Sequence, residues 1–322
     1  MQALDPDVEK LLALVQAAGK PSFEQLSPAE ARAAYLAGRD FMQSPAEEVA
    51  SVADLDIAGP GGRLPLRIYR GAGTDPAVAV PCLLFLHGGG WVIGDLDSHD
   101  RLCRRLANRI AGCVVAVDYR LAPEHPFPAA LDDAVAALAW LSHADHGLAI
   151  DRGRIAIGGD SAGGNLAAVL ALLGRNGAAP RAMYQALLYP ATDLSCASDA
   201  YRRFTSGVTL TAATMHWFID HYAPPGVDRK DWRLSPLHAA SLAELPPALV
   251  VSVGADPLSD EGRAYAARLE RAGTRVLAMH FSDQLHGLAM QGRQVRAGDV
   301  LVDMVGVALH AALRQAPPLA TV

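Results

Sequence analysis

The sequence predicts an α/β fold in which a mainly parallel central sheet is flanked by helices and carries a helical cap. Short apolar runs alternate with helix-like segments along most of the 322 residues, as in strands joined by crossover helices. Apolar residues make up 51% of the chain and charged residues 19%, so a sizeable core is expected and disorder is not. The long stretch 191–245 interrupts this alternation and is predicted to belong to the cap.

Each predicted element follows from its local pattern. Strands are predicted at 50–57, 64–70, 82–86, 114–118, 155–158, 185–189, 248–253 and 275–281, with helices at 98–111, 128–143, 162–174, 259–272 and 293–314. Two further helices precede them: an amphipathic one with Val8 and Leu11 on its apolar face, and one that begins at the capping box of Ser27 and Glu30. A helix over Thr211–Tyr222 is predicted within the interruption. The predicted organisation is an N-terminal part of the cap (1–45), the α/β domain in two parts (46–190 and 246–322) and a cap insertion (191–245).

The segment Gly159-Asp160-Ser161-Ala162-Gly163-Gly164 is the most informative part of the chain. It joins a predicted strand to a predicted helix, which is the setting that a nucleophile elbow requires. Glycines on both sides of Ser161 permit a very tight turn, and the helix N-terminus beneath it offers free N–H groups. The alternative is an ordinary glycine-rich turn, which would not explain why a predicted strand precedes Ser161 and a predicted helix follows it.

A second glycine-rich segment, His87-Gly88-Gly89-Gly90-Trp91, follows the apolar run of residues 82–86. Such a loop supplies backbone N–H groups to an oxyanion hole in lipases and esterases. A flexible turn and a phosphate-binding loop are the alternatives, although neither phosphate-binding glycine motif is present. We interpret His87 as an anchor of the loop rather than as a base.

A serine nucleophile needs a histidine base and an acid that orients the base. In chains with a nucleophile elbow, the acid follows the serine and the histidine follows the acid. Of the histidines after Ser161, only His286 is predicted to lie in a loop directly after a strand. Asp256 follows the strand 248–253 and is the favoured acid, with Asp260 as the second choice because it is predicted to lie in the first turn of a helix.

Together these motifs resemble the bacterial hormone-sensitive lipase-like esterases of the α/β-hydrolase fold, as does the segment that runs from Asp118 to Ala129. The resemblance covers about residues 81–287. It implies a serine carboxylesterase for short to medium acyl chains. It also implies an oxyanion hole formed by the N–H groups of Gly88, Gly89 and Ala162. Around the histidine, this chain departs from the residues usual in the family at Asp283-Gln284-Leu285 and at Leu288. The departure leaves the triad intact, but the pocket is expected to differ in shape from that of the family.

Other residues are candidates for the walls of that pocket. They are Trp91, Asp160, Tyr189 and Leu288, together with Trp217 and Phe218 from the predicted cap; core packing is the alternative for each aromatic ring, and a structural role is the alternative for Asp160.

The expected partner is a small-molecule ester. A net charge of −6 argues against nucleic acid, and no apolar run is long enough to predict stable membrane insertion. No cofactor or metal is expected, since the four cysteines lack metal-ligand spacing. The small number of cysteines, and a first segment without the pattern of a signal peptide, lead us to expect a cytoplasmic enzyme. A homodimer is considered. An amidase or lactonase on the same scaffold, or a non-catalytic ligand-binding protein, are the alternative functions.

Overall fold

The computed structural model describes residues 3–143 and 146–314, and its centre is a single eight-stranded sheet. The strands are β1 Ser51–Gly59, β2 Gly62–Arg70, β3 Val80–Leu86, β4 Cys113–Val117, β5 Ile150–Asp160, β6 Tyr184–Leu188, β7 Ala248–Ala255 and β8 Val276–Leu285. Their order in the sheet is β1-β2-β4-β3-β5-β6-β7-β8. The pairs β1/β2 and β2/β4 are antiparallel and all others are parallel, which confirms the predicted fold class.

Helices cover both faces of this sheet. They are α1 Pro6–Ala18, α2 Pro28–Met42, α3 Asp100–Ile110, α4 Ala129–His143, α5 Ala162–Arg175, α6 Asp199–Arg203, α7 Ala212–Tyr222, α8 Ser259–Arg271 and α9 Arg296–Arg314. Three short 3₁₀ turns occupy Phe23–Gln25, Pro236–His238 and Leu288–Met290. The capping box predicted for α2 is present: the Ser27 hydroxyl accepts from the backbone N–H of Glu30, and the Glu30 carboxylate accepts from that of Ser27.

The central strand β3 shows how the two halves of the core form. All of its seven residues are buried, and successive side chains point to opposite faces. Leu84 and Leu86 join a cluster that includes residues of α4, α5 and α8, whereas Leu83 and Phe85 join one that includes residues of α1, α3 and α9. The continuous apolar run of β3 is therefore explained by helices on both sides.

Residues from the two predicted parts of the cap contact each other beside the carboxyl ends of the strands. The Thr214 hydroxyl on α7 donates to the Glu24 carboxylate at 2.7 Å, and the rings of Phe23 and Phe218 lie 6.2 Å apart. Helix α1 instead packs against the main domain, where Val8 and Leu11 are buried in the cluster that contains α9. The boundaries at 45, 190 and 245 remain predictions.

Within the described ranges, no helix combines the length and the apolar character that a membrane crossing demands. Nor do three or more His, Cys, Asp or Glu side chains of those ranges group as ligands of a metal ion would.

Candidate active site

Ser161 lies at the junction of β5 and α5, in a strained backbone conformation. Its φ is 55° and its ψ is −116°, a region that residues with a side chain rarely occupy. The turn is tight because two glycines pass close to the end of β3: a Cβ on Gly159 or on Gly163 would overlap the carbonyl oxygen of Leu86. Substitution of either glycine would therefore move the turn, which explains why the sequence places glycines on both sides of the serine.

His286 and Asp256 reach Ser161 from the carboxyl ends of two further strands of the sheet. His286 Nε2 lies 2.9 Å from Ser161 Oγ, and His286 Nδ1 lies 2.8 Å from Asp256 Oδ2. The other carboxylate oxygen of Asp256 accepts from the N–H of Leu258 at 2.8 Å, so both of its oxygens are fixed. A carboxylate can only accept here, so Nδ1 of His286 carries the proton and Nε2 is free to accept from the serine hydroxyl.

The second-choice acid, Asp260, lies elsewhere. Its carboxylate accepts from the N–H of Ala200 at 2.9 Å and pairs with Arg203, which holds α6 against α8. The structure therefore brings Asp256, and not Asp260, to His286.

The strand that carries His286 is longer than the sequence predicts. The prediction ended at residue 281, but β8 continues to Leu285, which pairs with Ala255 after an irregularity in β7. Gly254 permits this continuation, because a Cβ there would overlap the carbonyl oxygen of Ser282. His286 thus follows the strand directly instead of lying several residues into a loop.

Two residues predicted to line the pocket are buried near the end of β8. The ring of Tyr189 stands edge-on to that of His286 with centroids 4.9 Å apart, and its hydroxyl accepts from the N–H of Ala289. Leu288 is fully buried in the 3₁₀ turn that follows Gly287. The ring of Tyr189 therefore packs against the imidazole, whereas Leu288 belongs to the core.

Hydrogen bonds fix the position of the loop that follows β3. The carbonyl of His87 accepts from the hydroxyl of Tyr119 at 2.7 Å, and that of Val92 accepts from Arg32 Nε at 2.8 Å. The carbonyl of Gly89 accepts from the N–H groups of Val92 and Ile93, which closes a turn. The loop is therefore anchored by the α/β domain and by helix α2.

The prediction that Gly88 is an oxyanion donor is wrong. The N–H of Gly88 already donates to Asp160 Oδ1 at 2.9 Å, so it does not point into a free site. Among the described residues, the N–H groups of Gly89, Gly90 and Ala162 have no acceptor. The candidate donors to a substrate oxygen are therefore the N–H groups of Gly89, Gly90 and Ala162. The two donors from the glycine loop lie one residue later in the chain than predicted.

Asp160, predicted to bind substrate or to act structurally, holds this loop from below. The side chain is almost completely buried, and His99 Nε2 lies 3.3 Å from Oδ1. Burial by itself would raise the pKa of Asp160, but the proximity of His99 and the hydrogen bond from Gly88 keep that pKa below its usual value. No motif pointed to His99, which lies 61 residues before Asp160 along the chain.

His87 is an anchor of the loop, as interpreted from the sequence. Its ring stacks on Tyr119 with centroids 4.2 Å apart, and its Nδ1 donates to the carbonyl of Gly88 at 2.8 Å. Burial, with a contribution from the nearby His99, lowers the pKa of His87 to about 4. The imidazole is therefore neutral at pH 7, and it makes no hydrogen bond to Ser161.

Aromatic residues of the cap lie on the glycine loop. Phe218 is buried, and a Cβ on Gly90 would overlap its ring. One turn further along α7, Tyr222 stacks on Trp91 with centroids 4.5 Å apart and ring planes 2° from parallel. Trp91 is fully buried in this stack and belongs to the core, whereas Trp217 is only partly buried beside Phe218.

The arrangement has the parts that acyl transfer requires. A serine hydroxyl faces an imidazole nitrogen, a buried carboxylate fixes the imidazole, and N–H groups without an acceptor are present in the glycine loop and at the start of α5. Ser161 is 8% exposed, so a reacting group would be largely separated from water.

Comparison with known proteins shows that the chain is similar to hydrolases. The profile of a family described as alpha/beta hydrolase fold matches residues 83–290. An ethyl acetate hydrolase from Pseudomonas putida is 41% identical over 316 residues, which cover 96% of this chain and 99% of that protein. The carboxylic ester hydrolase LipN from Mycobacterium tuberculosis is 47% identical over 242 residues, 73% of this chain and 64% of its own length.

Solved structures show the same similarity. An alpha/beta hydrolase enzyme from the metagenome of Lake Arreo, Spain, superposes with a TM-score of 0.94 at 39% identity, over 98% of this chain and all of that one. A thermostable esterase from Pseudomonas putida superposes with a TM-score of 0.93 at 33% identity, over 98% of this chain and 99% of that one.

Proposed function

The chain belongs to the alpha/beta hydrolase family and is a carboxylic ester hydrolase, and we propose that Ser161, His286 and Asp256 are its catalytic triad. The observation that carries this proposal is the continuous hydrogen-bonded chain from the Ser161 hydroxyl through His286 to Asp256, with distances of 2.9 and 2.8 Å. Its members come from three different strand ends and meet in a nearly buried site, which a purely structural network would not require.

The proposed reaction begins with attack of Ser161 Oγ on the ester carbonyl carbon, while His286 Nε2 takes the hydroxyl proton. The carbonyl oxygen becomes an anion that accepts from the N–H groups of Gly89, Gly90 and Ala162. Collapse of this intermediate breaks the bond to the alcohol oxygen, which leaves with the proton from His286 and yields an acyl-enzyme. Water activated by His286 then attacks the acyl group, so that the acid is released and Ser161 regains its proton.

The proposed substrates are esters with short to medium acyl chains. Phe218 lies on the glycine loop, and the ring of Phe23 packs 6.2 Å from it, so that aromatic side chains stand beside the proposed oxyanion site. The relative from Pseudomonas putida is named for the hydrolysis of ethyl acetate, an ester of this class. A wall of fixed rings accommodates only a limited chain length.

Replacement of Ser161 by alanine tests the proposal. We expect the hydrolysis of p-nitrophenyl butyrate to fall by about six decades, the size of effect that follows the loss of a triad nucleophile. Ser252→Ala is the matched control, because the Ser252 hydroxyl also lies 2.8 Å from a histidine, Nδ1 of His280, but at no helix N-terminus. Residual activity above about 1% in Ser161→Ala, or an equal loss in Ser252→Ala, would contradict the assignment. Parallel assays with a lactone and a p-nitroanilide compare the ester with the other bonds that a triad cleaves.

The cytoplasm is the proposed location. Cys82, Cys103, Cys113 and Cys196 are free thiols, and free thiols are typical of a reducing compartment. Fractionation of source cells with an antibody to the protein would measure this, and recovery outside the cytoplasm would contradict it.

A homodimer is the proposed assembly. Among the described residues, β1 is an end strand of the sheet and pairs only with β2, so its outer backbone groups are able to pair with a second copy. Light scattering coupled to size-exclusion chromatography measures the mass, and a monomer at micromolar concentration would contradict the proposal.

A further inference from the structure

A cavity lies at the end of the sheet opposite the triad. It has a volume of about 710 Å³ and is bounded by the amino ends of β6, β7 and β8, by residues near the start of β5, and by the last turns of α5 and α9. At about 3.3 Å per residue, the ten residues of β8 place His286 about 30 Å from this cavity. The cavity is therefore separate from the proposed ester site.

The charges around this cavity are mostly positive. Four arginines line it, against the single carboxylate of Glu244; the arginines are Arg152, Arg175, Arg181 and Arg275. Such an excess is unusual for a chain whose net charge is −6. It produces a local positive potential that attracts anions.

These arginines are not neutralised by acidic side chains. Arg175 donates to the carbonyl oxygens of Ser241 and Ala243, and Arg181 donates to that of Arg175. Neither Arg152 nor Arg275 forms an ion pair or a side-chain hydrogen bond with another residue of the described ranges. Their guanidinium groups therefore retain the donors that bind a carboxylate in a bidentate manner.

The rest of the wall is apolar. Met183, Tyr184, Val276 and Leu277 contribute side chains to it, and Leu277 is 47% exposed although it is large and apolar. The volume lies within the range of about 300–1,000 Å³ that is usual for small-molecule sites. The cavity thus combines hydrocarbon contact with cationic groups at its rim.

We propose that this cavity binds a medium-chain carboxylate, with the carboxylate at one of the two unpaired arginines of its rim, Arg152 or Arg275, and the hydrocarbon chain against Met183 and Leu277. Each methylene that leaves water contributes about 0.8 kcal/mol of transfer free energy, so a chain of several carbons adds to the affinity of the head group. An anion without a chain uses only the arginines, and a neutral amphiphile uses only the apolar wall. Tight binding therefore requires both parts in one molecule.

Isothermal titration calorimetry of the full chain with octanoate tests this inference. We expect the double variant R152E/R275E to bind octanoate at least about tenfold more weakly than the unchanged protein. The matched control is R263E/R271E, which changes the net charge equally on α8 without altering the cavity wall. Both variants should retain the thermal midpoint and the rate of butyrate ester hydrolysis, and R152Q/R275Q serves as a milder version should charge reversal impair folding.

Two comparison ligands complete the design. Acetate carries the head group alone, and octyl glucoside carries the chain with a neutral head; both should bind more weakly than octanoate. The inference is overturned if octanoate does not bind the full chain, if R152E/R275E binds it as tightly as R263E/R271E does, or if either comparison ligand equals octanoate. Octanoate is also a product acid of the proposed ester site, which neither double variant alters, so the difference between R152E/R275E and R263E/R271E isolates binding at this cavity.

Discussion

The ring of Phe218 in the cap lies directly on Gly90 of the glycine loop. The contact is so close that a Cβ on Gly90 would overlap the ring atoms. Since Gly90 also carries one of the N–H groups of the glycine loop that have no acceptor, this contact joins the position of helix α7 to the shape of the proposed oxyanion hole. Cap and catalytic loop are therefore expected to respond to substitution as one unit.

Gly90→Ala should lower kcat for butyrate esters by about two to three decades, the size of effect seen when an oxyanion donor is lost. The new methyl group must displace either Phe218 or the loop, and φ at Gly90 is 58°, which an alanine adopts only at a cost. The double variant G90A/F218A removes the ring and should recover about tenfold of that loss, which a double-mutant cycle measures.

Gly73→Ala is the control for the backbone cost. Gly73 has a φ of 75°, and a Cβ at this position would meet no other atom within 4 Å, so the substitution introduces the strain without the clash. We expect it to reduce thermal stability slightly and to leave kcat unchanged. Equal kinetics for Gly90→Ala and the unchanged protein would show that the contact with Phe218 does not influence catalysis.

Asp256→Asn should reduce kcat by about four decades while the protein stays folded. An asparagine that accepts from the N–H of Leu258 turns its NH₂ group toward His286 Nδ1. The imidazole would then carry its proton on Nε2, where it cannot accept from Ser161. Asp260→Asn is the control, and its kcat should change by no more than a few fold; a larger loss there than in Asp256→Asn would reverse the assignment of the acid.

The sequence points to these three residues because each one follows a strand, and the structure brings their side chains within hydrogen-bond distance. Parallel strands bring their carboxyl ends to one edge of the sheet, so a serine, an aspartate and a histidine in such positions converge although 125 residues separate Ser161 from His286. The fold class followed from the same alternation of strands and helices, and the structure confirms it.

The details that the sequence did not predict depend on contacts between distant segments. The family resemblance implied that Gly88 was an oxyanion donor, but its N–H is taken by Asp160, 72 residues away. The extension of β8 to Leu285 depends on space left by Gly254 in the neighbouring strand. Neither the partner of a backbone N–H nor a close approach between two strands is encoded in hydrophobic periodicity.

The buried imidazole of His87 should make the protein less stable in mild acid. Its pKa is about 4 in the folded state and about 6.5 when unfolded, so the unfolded chain binds the extra proton first as the pH falls. The contribution to the free energy of unfolding is thus complete above about pH 6.5 and is lost progressively between about pH 6.5 and 4, by roughly 3 kcal/mol in total.

Urea unfolding of the unchanged protein and of His87→Asn at several pH values measures this contribution. Asparagine does not titrate, so the difference in unfolding free energy between the two proteins should shrink as the pH falls through this window. A difference that stays constant from pH 7 to pH 4 would contradict the neutral, buried state of His87. Groups on which His87 does not act, such as Asp118, whose pKa burial raises to about 6, are common to both proteins and cancel in the comparison.

Acyl-chain length should reveal the limits of the pocket beside Ser161. Each added methylene contributes about 0.8 kcal/mol while there is room, and overpacking reverses the gain afterwards. For p-nitrophenyl esters, kcat/KM should therefore rise over the first carbons, reach its maximum at about C4 to C8, and fall for longer chains.

The ring of Phe218 should set part of that limit, because it is 4% exposed and stands against the glycine loop. Phe218→Ala is expected to shift the optimum by about two carbons or more toward longer chains, since removal of the ring opens space for hydrocarbon. Phe41→Ala is the control: that ring is 45% exposed on α2, and its loss should leave the profile unchanged. Hydrolysis of emulsified long-chain triglycerides as efficient as that of butyrate esters would show that no such wall exists and that the protein acts as a lipase.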